Sequence, residues 1–207
     1  MRDSGSNRPP PAGLLLAGGR SQRMGRDKAQ LDWRGQPLGE HQAATLTATG
    51  ASPLFLSCRP DQPWTPRGFS RIEDRLPFGG VLAAFADAFG ATSCEVLLVL
   101  AVDLPLVNSA WLATLASRAQ TDKTSVVPLH EGRFEPFVAA WHRSAVSALQ
   151  AALAENESLQ SACAGLRNEN RLHALTLSVG EAGSLANLNT PADADRLGCA
   201  NDSNASP

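Results

Sequence analysis

The sequence predicts an α/β protein, a three-layer sandwich with helices on both faces of a mostly parallel sheet. Three observations lead there. Unbroken apolar runs occur that are too short for helices, helical apolar stripes fall between them, and a loop dense in glycine and arginine leaves the first run. Gly13-Leu14-Leu15-Leu16-Ala17 predicts the first strand, Pro53-Leu54-Phe55-Leu56-Ser57 a second, and Val96-Leu97-Leu98-Val99-Leu100-Ala101 a third. Val81, Leu82, Phe85 and Phe89 recur at helical spacing and form one stripe. Ala145, Val146, Leu149 and Leu153 repeat the same offsets. Asn108 or Ser109 can cap a further helix carrying Trp111, Leu112 and Leu115. Thr124–Pro128, Phe137–Trp141 and His173–Ser178 complete the strands. Trp33, Trp64, Trp111 and Trp141 stand beside apolar runs, where aromatic residues serve a core or an interface. In such a sheet, ligands belong at the carboxyl ends of the strands.

Residues 1–11 and 199–207 are polar, lack apolar periodicity and read as disordered tails around one domain over 12–198. A length of 207 residues with 43% apolar content suits a single core. The net charge of −2 provides no broad positive field, which excludes a general nucleic-acid or anionic-membrane binder. The four cysteines, Cys58, Cys94, Cys163 and Cys199, are scattered without a C-x-x-C pair, as expected of free thiols rather than a zinc site or disulfide framework. The histidines have no metal-ligand spacing, and no apolar run is long enough to span a bilayer. Met1 to Pro11 lacks the apolar centre of a signal peptide, so the expectation is a cytoplasmic enzyme.

Basic residues are bunched where the rest of the chain is neutral. Gly18, Gly19, Arg20, Arg23, Gly25, Arg26 and Lys28 all follow the first strand. Glycines allow close approach and positive φ, so successive amides can converge on phosphate oxygens. Arg23 as a planar fork and Lys28 as a point charge can neutralise a polyphosphate. The stretch fits neither a P-loop, since Gly25 is followed by Arg26-Asp27-Lys28, nor the G-x-G-x-x-G dinucleotide loop. Composition alone reads equally well as a solvated, charged turn. Asp103 sits just beyond the third strand, with Pro105 turning the chain away; it offers Mg²⁺ hard oxygens or simply starts a turn.

Residues 16–28, Leu-Ala-Gly-Gly-Arg-Ser-Gln-Arg-Met-Gly-Arg-Asp-Lys, match a longer pattern at every fixed position, L-A-G-G-x-S-x-R-M-G-x-D-K. Ile72-Glu73-Asp74, Gly79-Gly80-Val81-Leu82, Val102-Asp103-Leu104-Pro105-Leu106 and Asn187-Leu188-Asn189-Thr190-Pro191 follow in order, with Glu135-Pro136-Phe137-Val138-Ala139 between the last two. Over residues 12–197 the chain thereby resembles the molybdenum cofactor guanylyltransferases, nucleotidyltransferases of glycosyltransferase-A-like (Rossmann-like) fold. The resemblance implies transfer of GMP from GTP to the phosphate of molybdopterin, with Mg²⁺ as cofactor and Mn²⁺ as its alternative. It implies catalytic roles for Arg23, Lys28 and Asp103, the last two solvent-accessible. It places the nucleotide on Leu16, Ala17, Gly18, Gly19, Lys28, Ser57, Asp74, Gly79 and Asp103, with the amides of Ala17, Gly18 and Gly19 as donors. Asp103 and Asn189 become the metal ligands, with Asn187 as the alternative to Asn189, although Asn-Thr-Pro is equally a helix start. Ser57 stands where some members carry Asn near the base, and Glu155 to Ser161 replace a stretch often bearing arginine. Cofactor-synthesis proteins or recipient molybdoenzymes are the implied protein partners. The same loop also suits a molybdenum cofactor cytidylyltransferase, another small nucleotidyltransferase, or a nucleotide-binding regulator without catalysis.

Overall fold

The computed structural model describes residues 8–18, 27–74, 80–188, 193 and 196–197. The chain begins with β1 (Ala12–Leu16), a 3-10 turn at Lys28–Gln30, a small ribbon of β2 (Asp32–Trp33) and β3 (Gln36–Pro37), and helix α1 (Leu38–Thr47). Then come β4 (Leu54–Cys58), β5 (Phe69–Glu73), α2 (Gly80–Gly90), β6 (Val96–Ala101) and α3 (Ser109–Asp122). The second half runs β7 (Ser125–His130), β8 (Arg133–Phe134), β9 (Val138–His142), α4 (Val146–Ala154), α5 (Leu159–Asn168), β10 (Leu172–Thr176) and α6 (Val179–Gly183).

The main sheet has the order β10-β7-β9-β6-β1-β4-β5, with β8 paired to β7. The pairings β1–β4, β1–β6, β4–β5 and β7–β10 are parallel, whereas β9 runs against both β6 and β7. The mostly parallel sandwich expected from the apolar runs is therefore present. β1 and β6 lie in the middle, and every residue in them is buried, which is why both read as uninterrupted Leu and Val rather than as an alternation. Helices α2, α4 and α5 pack side by side, and α1 packs with α3, so the sheet is covered by helices on its two faces. Phe85 of α2 meets Trp141 of β9 with ring centroids 5.3 Å apart, inside a core that includes Leu14, Leu15, Leu56 and Leu97 to Leu100.

The order of the strands also fixes where a ligand can sit. From β1 the chain steps outward to β4 and β5, then returns through α2 to place β6 on the opposite side of β1. That reversal opens a crevice above the carboxyl ends of β1 and β6, where Leu16 pairs with Ala101.

Of the expected N-terminal tail, residues 1–7 lie outside the described residues. Residues 8–11 are tied down instead: Arg8 Nη1 donates to Thr121 Oγ1 at 2.8 Å, Gln120 Nε2 to the Pro9 carbonyl at 2.9 Å, and Ser52 N to the Pro11 carbonyl at 2.8 Å. Residues 199–207 lie outside the described residues. Cys58, Cys94 and Cys163 are free thiols. Among the described residues no helix is long and apolar enough to cross a membrane.

Candidate active site

On one side of the crevice the ends of β1, β4 and β5 converge. Ala17 N and Gly18 N both donate to the Ser57 carbonyl, at 2.9 and 3.0 Å. Both N–H groups are thereby directed at the neighbouring strand. Gly18 lets the Asp74 carboxylate lie close: a Cβ there would come 2.9 Å from Oδ2 and push that carboxylate aside. Asp74 is itself placed by its amide, which donates to the Cys58 carbonyl at 3.0 Å. Burial pushes the Asp74 carboxyl above the usual aspartate range, against the opposing pull of the Arg59 guanidinium. Leu16, Ala17, Gly18, Ser57 and Asp74 are thus brought together. Gly19, Arg23, Gly79 and Asn189 lie outside the described residues.

The chain re-enters at Asp27, which caps the 3-10 turn by accepting from Ala29 N at 3.0 Å through Oδ1. Lys28, the first residue of that turn, reaches across to Asp103, with Nζ 2.9 Å from Oδ2. Their side chains are 17% and 23% exposed, so the two form a partly buried ion pair that still reaches solvent.

Asp103 is held from three directions. Val102 N donates to the Leu16 carbonyl at 3.0 Å, locking the turn to β1. From α1, fully buried Gln42 donates through Nε2 to the carbonyls of Leu104 (2.8 Å) and Ala101 (3.2 Å), so one side chain spans the turn. His41 Nε2 lies 3.1 Å from the Pro105 carbonyl, which can only accept and therefore assigns the proton to Nε2. Finally, Leu188 N donates to the Asp103 carbonyl at 2.8 Å, bringing the segment with exposed Asn187 back beside the site.

A family model described as the MobA-like NTP transferase domain matches residues 13–173, a stretch that contains this entire constellation apart from the returning segment. The chain belongs to this family. It is a nucleotidyltransferase, and its similarity to relatives extends over most of its length. The probable molybdenum cofactor guanylyltransferase of Opitutus terrae is 35% identical over 190 residues, covering 89% of this chain and 93% of that protein. The molybdenum cofactor guanylyltransferase of Xanthomonas euvesicatoria is 34% identical over 193 residues, covering 91% and 94%. Among solved structures, molybdopterin-guanine dinucleotide biosynthesis protein A from Archaeoglobus fulgidus superposes with a TM-score of 0.69 at 22% identity, over 90% of this chain and 96% of that one.

On the other side of the crevice, this MobA-like domain presents β9. Ala101 N donates to the Phe137 carbonyl at 2.8 Å, so Phe137, 39% exposed as a residue, stands two residues from Asp103 along the edge. Burial raises the Glu135 carboxyl, opposed by His130 and Arg133. Sequence reasoning quoted Glu135 and Phe137 only as part of a motif and passed over Gln42 entirely. A buried glutamine in a helix carries no local signal; only the carbonyls it reaches, more than fifty positions away, reveal its use. No group of three or more His, Cys, Asp or Glu suited to a metal occurs among the described residues. A cation here would rest on the single carboxylate of Asp103 together with oxygens of a substrate. That arrangement fits Mg²⁺, which binds through one or two carboxylates plus phosphates and water.

Proposed function

We propose that this nucleotidyltransferase transfers GMP from GTP to the phosphate of metal-bearing molybdopterin, forming the guanine dinucleotide cofactor and pyrophosphate. The observation that carries the proposal is the Lys28–Asp103 pair at the β1–β6 crevice, 2.9 Å apart, with one wall from β1, β4 and β5 and the other from β9. The relatives named for this activity in Opitutus and Xanthomonas support the choice of substrates.

In the reaction, an oxygen of the acceptor phosphate forms a bond to the α-phosphorus while the bond from that phosphorus to the β-bridging oxygen breaks. The electron pair leaves with pyrophosphate. The acceptor is already anionic at neutral pH, so no activated side-chain nucleophile is needed, and catalysis rests on positioning and charge. The Lys28 ammonium, brought to the crevice by its turn, neutralises the charge growing on pyrophosphate, and Arg23 does the same from the loop. Asp103 would hold Mg²⁺, with Mn²⁺ as a substitute and Asn189 or Asn187 as a further oxygen donor; bound there, the ion supplies charge neutralisation for the phosphates. Lys28 engages Oδ2 of Asp103, so such a cation would share this carboxylate with the ammonium or take its place. Asp74, desolvated against Gly18, is suited to a nucleotide hydroxyl. Since Ala17 and Gly18 donate to Ser57, amide contacts to the phosphates fall to the residues that follow, beginning with Gly19.

The test is pyrophosphate release measured with each of the four ribonucleoside triphosphates, with and without molybdopterin. Release with GTP alone among the four, and only when the acceptor is present, is expected. Release with CTP instead makes the protein a cytidylyltransferase. GTP binding without release under any condition makes it a regulator.

A further inference from the structure

We propose that Gln62 is a positioning residue for Lys28, acting through the carboxylate of Asp27. Gln62 lies in the segment between β4 and β5, outside every motif, and is 1% exposed. Its Nε2 donates to Asp27 Oδ2 at 2.7 Å, while Asp27 Oδ1 accepts from Ala29 N at 3.0 Å. Both oxygens of Asp27 are therefore occupied by protein donors, one setting the rotation of the carboxylate and the other closing the turn that begins with Lys28. Asp27 serves that turn rather than a ligand.

Two further contacts make the linkage stiff. Arg71 of β5 gathers the segment, donating to the carbonyls of Arg59 (3.1 Å), Gln62 (2.8 Å) and Trp64 (3.4 Å) and to Thr65 Oγ1 (3.1 Å). On the far side of the turn, Ala29 is fully buried against Gly39 of α1, where a Cβ would come within 3.0 Å of the Ala29 methyl and 2.6 Å of the Trp64 ring. Lys28 is thus the first residue of a turn wedged between α1 and a segment pinned by an arginine, and Gln62 joins the two.

Packing alone does not account for Gln62. Its Oε1 is buried without a hydrogen-bond partner. A leucine of similar volume would avoid that desolvation loss, so packing alone favours leucine. What glutamine adds is the donor aimed at Asp27.

The inference rests on the reading that Lys28 grips the triphosphate, and the experiment separates the two. Binding of GTP with Mg²⁺, without acceptor, is measured by calorimetry for wild type, Gln62→Leu, Lys28→Ala and the double variant, with melting temperature as the folding control. Lys28→Ala is expected to weaken binding. With binding measured well below each variant's melting temperature, Gln62→Leu is expected to weaken it on the order of tenfold, and to weaken it no further once Lys28 is alanine, the coupling typical of groups acting as a unit. Equal losses from Gln62→Leu in both backgrounds, or no loss in either, overturn the positioning role. No loss from Lys28→Ala overturns the reading of the lysine and this inference with it. Should Gln62→Leu fail to fold, Asp27→Ala, which alters a half-buried position, completes the same cycle under the same criteria.

Discussion

Lys28 and Asp103 neutralise one another across 2.9 Å, and in the proposed reaction a triphosphate with its cation would enter between charges already satisfied. The exchange is feasible because incoming phosphate replaces the carboxylate as partner of the ammonium, and incoming cation replaces the ammonium as partner of the carboxylate. Neither charge is left alone in a low-dielectric crevice, which would be the costly state. Asp74 differs, since burial disfavours its charged form. A carboxyl whose folded pKa exceeds its unfolded value contributes stability that is complete below the unfolded value and disappears as pH rises through the folded one. Asp74→Asn is therefore expected to gain melting temperature relative to wild type as pH climbs from about 4 through the mildly acidic range. Glu135, shifted the same way, is present in both proteins and cancels in the difference. Melting curves of the two proteins at several pH values check it; a difference that does not grow over that window contradicts the burial argument.

Helix α1 does more than cover the sheet, because Gln42 holds both ends of the turn that carries Asp103. Gln42→Leu preserves volume but strips donors from two buried carbonyls, which is expected to cost about 1–3 kcal/mol of stability. Turnover should fall further than GTP affinity, since the displaced group is Asp103 rather than the wall formed by Gly18 and Asp74. Denaturant unfolding and a kcat against KM comparison measure the two effects. The same helix shows what sequence patterning conveys. Strands β1 and β6 are legible because burial on both faces leaves only apolar residues and glycine, β4 because Leu54, Phe55 and Leu56 precede Ser57, and the predicted Val96–Ala101 matches β6 to the residue. Asn108 capping α3 was equally legible, accepting from Trp111 N at 2.9 Å. α1 was not, because Pro37 provides no side-chain cap and its buried positions include Gly39 and Gln42, which break an apolar stripe. α5 was overlooked although Ser158 caps it and Ala162, Cys163 and Leu166 line its buried face; small residues weakened a pattern that was present. Lys28 and Asp103 were legible as charges in the right loops, but their pairing depends on β1 and β6 being neighbours, a fact held by the sheet order and by neither loop.

At the scale of the whole molecule, the reversal of strand order divides the crevice into two walls with unlike chemistry. The wall from β1, β4 and β5 carries main-chain groups, Ser57 and Asp74. The wall from β9 carries half-exposed Phe137, with Glu135 and Arg133 close by. Between them stands Asp103, where an in-line displacement needs nucleotide on one side and acceptor on the other. A flat pterin suits an aromatic ring at that edge, whereas the triphosphate does not. Phe137→Ala is therefore expected to raise the KM for molybdopterin by about three- to tenfold, the range that ring contacts usually contribute. The KM for GTP should change less, within about twofold, because the wall formed by Gly18 and Asp74 lies across Asp103 from the ring. Because the Phe137 carbonyl, not its ring, bonds to Ala101, the substitution leaves the edge pairing with β6 intact. Steady-state kinetics with each substrate varied in turn measure both constants. An increase confined to GTP would exchange the two walls, and with them the direction from which the acceptor phosphate approaches.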